Sequence, residues 1–350
     1  MNALHYAVVV GINRYPALGD LTAAVGDAAR FLEWLADPAG GAVPRANIEL
    51  VPASADDAAS LPAESAEPAV HQINLALSRV NRAVNLALTQ EPSRWDETRL
   101  YIFVAGHGIA PDGGDGALLA ANASLEELGH NIELSLYRRW YQVSCAFHEL
   151  VVFADCCRSF VEGAPSNGPP FTLRGDARRP VRVTVAYASE FGRTALENGR
   201  ADRPDQRRGY FTEALLRGLR EAGDPRFGGR VTSARLSGFV QACVHQLASE
   251  SRRGQGVEFS GVPDMTFGPP LAEAAAPHRV DIVLPESTGP VELLDGDFHV
   301  RERWDSATGP LTTKLPSGLY WVVRQGQRDA GDSAGLGMFV VAGADREVRL

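Results

Sequence analysis

LVVFADCCRS, residues 150–159, decides how this chain reads, together with LYIFVAGHG at residues 100–108. Leu150–Ala154 and Leu100–Ala105 are unbroken apolar runs with no polar alternation. Runs of that kind fit strands covered on both faces, as in a parallel sheet with helices on either side. Both end in polar, reactive residues: Gly106-His107-Gly108 after the first, and Asp155-Cys156-Cys157-Arg158-Ser159 after the second. In open α/β sheets ligands gather outside the carboxyl ends of the strands, so a His and a Cys at two such ends can face one another.

Working outward, Tyr6–Gly11 (YAVVVG), Ile48–Pro52 and Val181–Ala188 are further strands, and Asp264–Phe267 is a short closing one. Between them, five segments carry apolar residues at helical spacing: Ala23–Leu35, His71–Gln90, Leu134–Ala146, Tyr210–Glu221 and Ser233–Glu250. In the first, Val25, Ala28, Phe31, Leu32 and Leu35 share one side. In the third, Tyr137, Trp140 and Tyr141 read as packing residues. Ala53–Pro68 is a surface loop, and Phe160–Pro180 is a Gly/Pro/Arg-rich excursion. Strands alternating with helices predict an α/β fold over residues 1–268, with a mostly parallel sheet flanked by helices. Pro269–Pro277 reads as a linker. Over 278–350 the pattern becomes short β runs punctuated by Gly, Pro and Asp: Val280–Leu284, Val291–Leu294, Phe298–Arg303, Leu311–Leu315, Leu319–Arg324 and Met338–Val341. That predicts a small all-β, sandwich-like accessory domain.

Composition narrows the partners. Against 34 Lys+Arg stand 43 Asp+Glu, a net charge of −9, which excludes a uniformly basic nucleic-acid coat. With 45% hydrophobic and 22% charged residues, the chain can bury a core without staples. Four cysteines, two of them adjacent, make no disulfide framework and point to a reducing compartment. The apolar run near the N-terminus is too short to span a bilayer and has no basic flank, so a cytoplasmic protein without a membrane partner is expected.

A His/Cys pair suffices for acyl transfer. The imidazole helps form the thiolate, the thiolate attacks a carbonyl, and the imidazole then protonates the leaving amine. Backbone N–H groups of Gly108 and Cys157 are candidates to stabilise the oxyanion. Taken singly, each residue also has an ordinary reading: a solvated His after a strand, a small buried Cys. Adjacent strand residues point oppositely, so Cys156 and Cys157 do not both serve one site.

These segments together resemble the caspase/metacaspase clan of cysteine peptidases. VVVGINRYP resembles the clan's first strand and turn, and VGDAARFLEWL its first helix, including Asp27 near the start. FVAGHG resembles its His motif and VVFADCCRS the metacaspase D-x-C-H-S-G motif, while AYASEFGRTALE and GYFTEALLRGL resemble the segments that follow. His107 and Cys157 are fifty residues apart, a spacing known for caspases. The resemblance covers about residues 1–268. It implies a cysteine endopeptidase working through a thioester, with His107 as general acid/base, Cys157 as nucleophile and Cys156 in the variable middle position. The chain departs from the motif at Arg158 and Phe160, where the pattern has His and Gly. The resemblance puts Asp155 in the pocket for the substrate's P1 side chain and so implies cleavage after Arg or Lys, a guanidinium pairing well with a carboxylate. Glu190 is a second candidate for that pocket's wall. The loop after the Cys strand is where members of the clan often cut themselves, which makes Arg174, Arg178 and Arg179 candidate autocleavage sites.

No cofactor and no metal is expected. Cys156, Cys157 and His148 lack zinc-site spacing, and Asp56, Asp57, Asp112 and Asp115 lack EF-hand spacing. The expected partners are peptide or protein substrates, with a small molecule or protein activating the enzyme through the β domain. The resemblance suggests a signal-activated effector in bacterial cell death or antiphage defence. A catalytically silent caspase-like scaffold that binds partners, and a cysteine hydrolase or transferase of small molecules, are the alternatives.

Overall fold

The computed structural model describes residues 2–51, 62–112, 115–172, 179–193, 195, 197–198, 208–224, 227–250, 255–271, 277–285, 288–296, 299–305, 310–316, 318–325, 335–341 and 345–350. Two compact units account for them. The first comprises residues 1–216 and 254–265, the second residues 217–253 and 266–350.

The first unit is built on one six-stranded sheet. Its strands are β1 (His5–Gly11), β2 (Ile48–Val51), β3 (Arg99–Gly106), β4 (Glu149–Cys156), β5 (Arg182–Tyr187) and β6 (Glu258–Gly261), in the spatial order β6-β5-β4-β3-β1-β2. All neighbours are parallel except β5 and β6, which are antiparallel. The apolar runs have the cause expected of them, because both faces are covered. Tyr6, Val8 and Val10, Leu100, Ile102 and Val104, and Leu150, Val152 and Ala154 form one core cluster with Ile73, Leu77, Val80 and Val84 of α2 (Val70–Gln90). Tyr137 and Tyr141 of α3 (Leu134–Ser144) join the same face, their hydroxyls donating to Asn74 and Asn81 of α2 at 2.8 and 3.1 Å. On the other face Phe31 of α1 (Ala24–Ala36) stacks on Phe103 at 4.5 Å between centroids and meets Phe153 edge-on at 5.8 Å.

One sequence expectation needs correcting. Thr266–Phe267 does not close the central sheet; it pairs with Arg230–Thr232 in a small separate sheet. The closing strand is β6, Glu258–Gly261, a short and largely exposed edge with no apolar alternation to announce it. Four short strands, Gly108–Ala110, Ala117–Leu119, Asn131–Glu133 and Ser159–Phe160, form a further small sheet directly after β3 and β4.

The second unit contains α5 (Ser233–Glu250), the small sheet of Gly223–Asp224, Arg230–Thr232 and Thr266–Phe267, and seven further strands: β7 (His278–Val283), β8 (Val291–Asp295), β9 (Val300–Trp304), β10 (Leu311–Leu315), β11 (Gly318–Arg324), β12 (Gly335–Val341) and β13 (Arg346–Arg349). These seven form a three-stranded sheet, β10-β7-β13, and a four-stranded one, β9-β8-β11-β12. Val280, Ile282 and Val348 of the first share one core with Val291, Leu293, Val322 and Val341 of the second. No helix among the described residues is long and apolar enough to cross a membrane.

Candidate active site

Parallel register brings the candidate residues together. Ala105 of β3 pairs with Asp155 of β4, and Gly106 with Cys156. His107 and Cys157 are therefore the next residues on two neighbouring strands, which run about 4.8 Å apart. They line one cavity of about 370 Å³ with Leu21, Asp27, Asp155 and Gly209. The cavity lies at the carboxyl ends of β3 and β4, beside the point where the chain order reverses between β1 and β3.

Strand alternation sorts the two thiols. Ala154 and Cys156 turn to the α2/α3 face, where Cys156 is 1% exposed and part of the core. Burial, and then the neighbouring Cys157 and Asp155, push its thiol well above the ordinary range, so it holds its proton. Cys157 is half-buried. Its Sγ accepts the Ala195 backbone N–H at 3.3 Å. The imidazole of His107 is held at Nε2, 2.9 Å from the Gly19 carbonyl. A carbonyl only accepts, so Nε2 carries the proton and Nδ1 is the nitrogen free to take one. Gly108 packs directly on the backbone of Cys157: a Cβ there would lie 2.5 Å from the Cys157 carbonyl and 2.9 Å from Cys156 Cβ.

Asp155 lies on the α1 side of β4 and is 9% exposed. Its Oδ2 accepts the Thr212 backbone N–H at 3.2 Å and the Thr212 hydroxyl at 2.6 Å, both from α4 (Tyr210–Glu221). A second carboxylate, Asp27 of α1, is 1% exposed and lines the same cavity. Its Oδ2 accepts the Gly209 N–H at 2.9 Å, and its Oδ1 pairs with Arg30 one turn on. Burial, and then the charge of Asp155, push the Asp27 carboxyl up to about 8, outweighing the pull of Gly209 and Arg30. Gly209 is a glycine for steric reasons, since a Cβ there would overlap Asp155 Oδ2 and crowd Asp27 Oδ2. Asp27 was visible in the sequence only as an acid near the start of an amphipathic helix. The pairing of α1 with the end of β4 gives it a place in the cavity.

The remaining candidates lie elsewhere. Glu190 is exposed on the turn after β5, its side chain lying against Gly256, and it is not among the residues lining this cavity. Arg179 is exposed, with its guanidinium 5.0 Å over the Trp95 ring and its carbonyl accepting the Cys145 thiol at 3.3 Å. Trp95 comes just before β3, so Arg179 sits at the amino end of the sheet, roughly 23 Å of strand from the cavity. Arg174, Arg178, Asp56 and Asp57 lie outside the described residues.

Arg158, where the chain departs from the motif, is 2% exposed. Its Nη1 donates to the Ser189 carbonyl at 3.2 Å and to Glu258 Oε2 at 2.6 Å, and its guanidinium lies 4.2 Å over the Tyr187 ring. It thus fastens the loop carrying Cys157 to the turn after β5 and to edge strand β6. Arg158→Met is expected to cost about 2–3 kcal/mol of stability, because three charge-assisted bonds go, the third from Nε to the Asp115 carbonyl at 2.5 Å, and the buried Ser189 carbonyl loses its donor. Urea unfolding measures this; an unchanged midpoint would show that the fastening contributes nothing.

The sequence profile of the caspase domain family matches residues 4–275. A probable protease of a Desulfuromonadales bacterium is 30% identical over 232 residues, which cover 63% of this chain and 26% of that protein. The chain thus matches about a quarter of that relative's length. Among solved structures, caspase-1 of Spodoptera frugiperda is 16% identical with a TM-score of 0.43, over 74% of this chain and 86% of that one. A Geobacter sulfurreducens protein solved by structural genomics is 13% identical with a TM-score of 0.41, over 74% of this chain and 94% of that one.

Proposed function

The chain belongs to the caspase-domain family of peptidases, and from that premise we propose that it is a cysteine endopeptidase that cleaves after Arg or Lys. The observation that carries the reading is the cavity itself, in which His107 and Cys157 share one space with two buried carboxylates. The Cys157 thiolate attacks the carbonyl carbon of the scissile bond. The Gly108 and Cys157 N–H groups stabilise the oxyanion. As the tetrahedral species collapses, the C–N bond breaks and the His107 imidazolium gives its proton to the leaving amine, which departs and leaves a thioester on Cys157. Water, losing a proton to His107, then attacks the thioester; the C–S bond breaks, and the carboxylate product leaves the thiolate restored. Asp155 and Asp27 hold the P1 cation, and a guanidinium offers more donors than either carboxylate has already engaged. Asp27 also pairs with Arg30.

Self-cleavage in the loop after β4 is part of the same proposal. The bond after Arg179 leads into Pro180, whose ring crowds the scissile nitrogen, and Arg179 is clasped at the far end of the sheet. That favours Arg174 and Arg178 as cut sites. In the same reading, residues 278–350 take the activating small molecule or protein, and the enzyme acts in the cytoplasm as an effector of bacterial cell death or antiphage defence. That role rests on the family resemblance.

The test is a panel of fluorogenic peptides with Arg, Lys, citrulline or Asp at P1, with the enzyme's intact mass followed in parallel. Hydrolysis after Arg and Lys is expected, with mass loss matching a cut after Arg174 or Arg178. Hydrolysis after Asp alone would keep the enzyme class and reject the specificity. A catalytically silent scaffold would hydrolyse none of the four.

A further inference from the structure

The loop between β1 and α1, residues 12–23, closes on the imidazole of His107, and the reaction scheme above assigns none of its side chains a part. Tyr15 is fully buried. Its hydroxyl accepts the backbone N–H of His107 at 3.0 Å and donates to the Leu119 carbonyl at 3.0 Å. Its ring meets the imidazole edge-on, 4.6 Å between centroids. Burial pushes its phenol far above the ordinary range, so it stays a donor at any working pH.

Asp20 closes the turn. Its Oδ1 accepts the Tyr15 backbone N–H at 2.9 Å, its Oδ2 pairs with Arg14, and the Gly19 N–H returns to the Tyr15 carbonyl at 2.9 Å. The carbonyl this turn presents, that of Gly19, is the one that meets His107 Nε2. Gly19 has φ +92° and open space where a Cβ would stand, so a glycine is there for its backbone conformation and not for room. Asn13 ties the other end of the loop to the start of α1, its Oδ1 accepting the Val25 N–H at 3.1 Å.

We propose that Tyr15 and Asp20 are positioning residues for His107, Asp20 by fastening the turn that aims the Gly19 carbonyl at Nε2, and Tyr15 by pinning the backbone and ring face of the histidine. Together they select the Nε2–H tautomer and leave Nδ1 as the proton acceptor. The catalytic meaning of this device rests on the peptidase reading; the tautomer it selects does not. A mis-set tautomer is costly because the base then offers the wrong nitrogen.

The test uses the full chain labelled with 15N-histidine, as wild type and as Tyr15→Phe, Asp20→Ala and Asp20→Asn. His107→Ala assigns the resonance. At a pH where the imidazole is neutral, nitrogen shifts are expected to show wild-type His107 as the Nε2–H tautomer. Tyr15→Phe and Asp20→Ala are expected to move it to a mixture. Asp20→Asn keeps an acceptor oxygen and is expected to recover most of what Asp20→Ala loses. In peptide assays kcat is expected to fall about 10- to 100-fold in the first two variants, with KM nearly unchanged. A tautomer population unchanged in both Tyr15→Phe and Asp20→Ala overturns the proposal, whatever the rates. If wild type cleaves none of the peptides, the peptidase reading fails on its own, and the nitrogen shifts still decide this one.

Discussion

Cys157→Ala is expected to lower peptide hydrolysis by about four orders of magnitude or more, because Cys156, the other thiol lining the cavity, holds its proton and cannot take over the acyl-enzyme. His107→Ala is expected to fall nearly as far, since the thiolate and the leaving amine both depend on one imidazole. Cys156→Ala is the informative control. Although it is the immediate neighbour, Cys156 faces the α2/α3 core and keeps its proton, so its loss removes a small buried side chain and no chemistry. It is expected to retain wild-type kcat and lose about 1 kcal/mol of stability. A Cys156→Ala variant as dead as Cys157→Ala, yet folded by circular dichroism, would assign the nucleophile to the wrong thiol.

The second large effect concerns the two carboxylates. Asp155→Asn is expected to cut kcat/KM for Arg peptides by about 10- to 100-fold, the loss of one charge-assisted pair at about 1.5–3 kcal/mol, while citrulline peptides change little. Asp27 adds a pH dependence. With its carboxyl pushed up to about 8 beside Asp155, the pair holds one proton at neutral pH and loses it as the solution turns alkaline. The ratio of Arg to citrulline hydrolysis is therefore expected to rise through pH 8. The ratio cancels the titration of His107 and Cys157, which both substrates share. In Asp27→Asn the rise should vanish; a rise that persists would take Asp27 out of the specificity pocket.

The same group bears on stability. An acid whose folded value lies above its unfolded one binds its proton more tightly when folded. Its contribution is full below the unfolded value of 3.8 and is lost as pH climbs through about 8. Thermal midpoints of wild type should therefore decline over that window more than those of Asp27→Asn.

How much of this the sequence carried follows from the range of the forces involved. Unbroken apolar runs at Tyr6–Gly11, Leu100–Ala105 and Leu150–Ala154 set three strands, because a strand with helices on both faces has no polar side to show. Helical spacing set α1 to α5 within a residue or two at each end, since the apolar stripe repeats along the chain itself. That Cys156 and Cys157 do not both serve one site was local, a matter of alternation on one strand, while the choice of Cys157 came from the resemblance to the metacaspase motif. Edge strand β6 was not legible, for it is short and exposed and owes its existence to hydrogen bonds from β5. The reason for an arginine at 158 was equally hidden, because its partners Ser189, Tyr187 and Glu258 lie 29 to 100 residues away.

The sequence by itself determined the α/β fold, six of the seven later β strands (all but Arg346–Arg349) and the strand ends at which His107 and Cys157 stand, because each is fixed by periodicity within a few residues. Only the tertiary structure decided what surrounds them. Parallel register set His107 beside Cys157, α1 brought Asp27 to Asp155, and the turn after β1 delivered the Gly19 carbonyl to the imidazole. Those are meetings of residues far apart in the chain, and chain-distant contacts are written in packing and hydrogen bonds that no local pattern encodes.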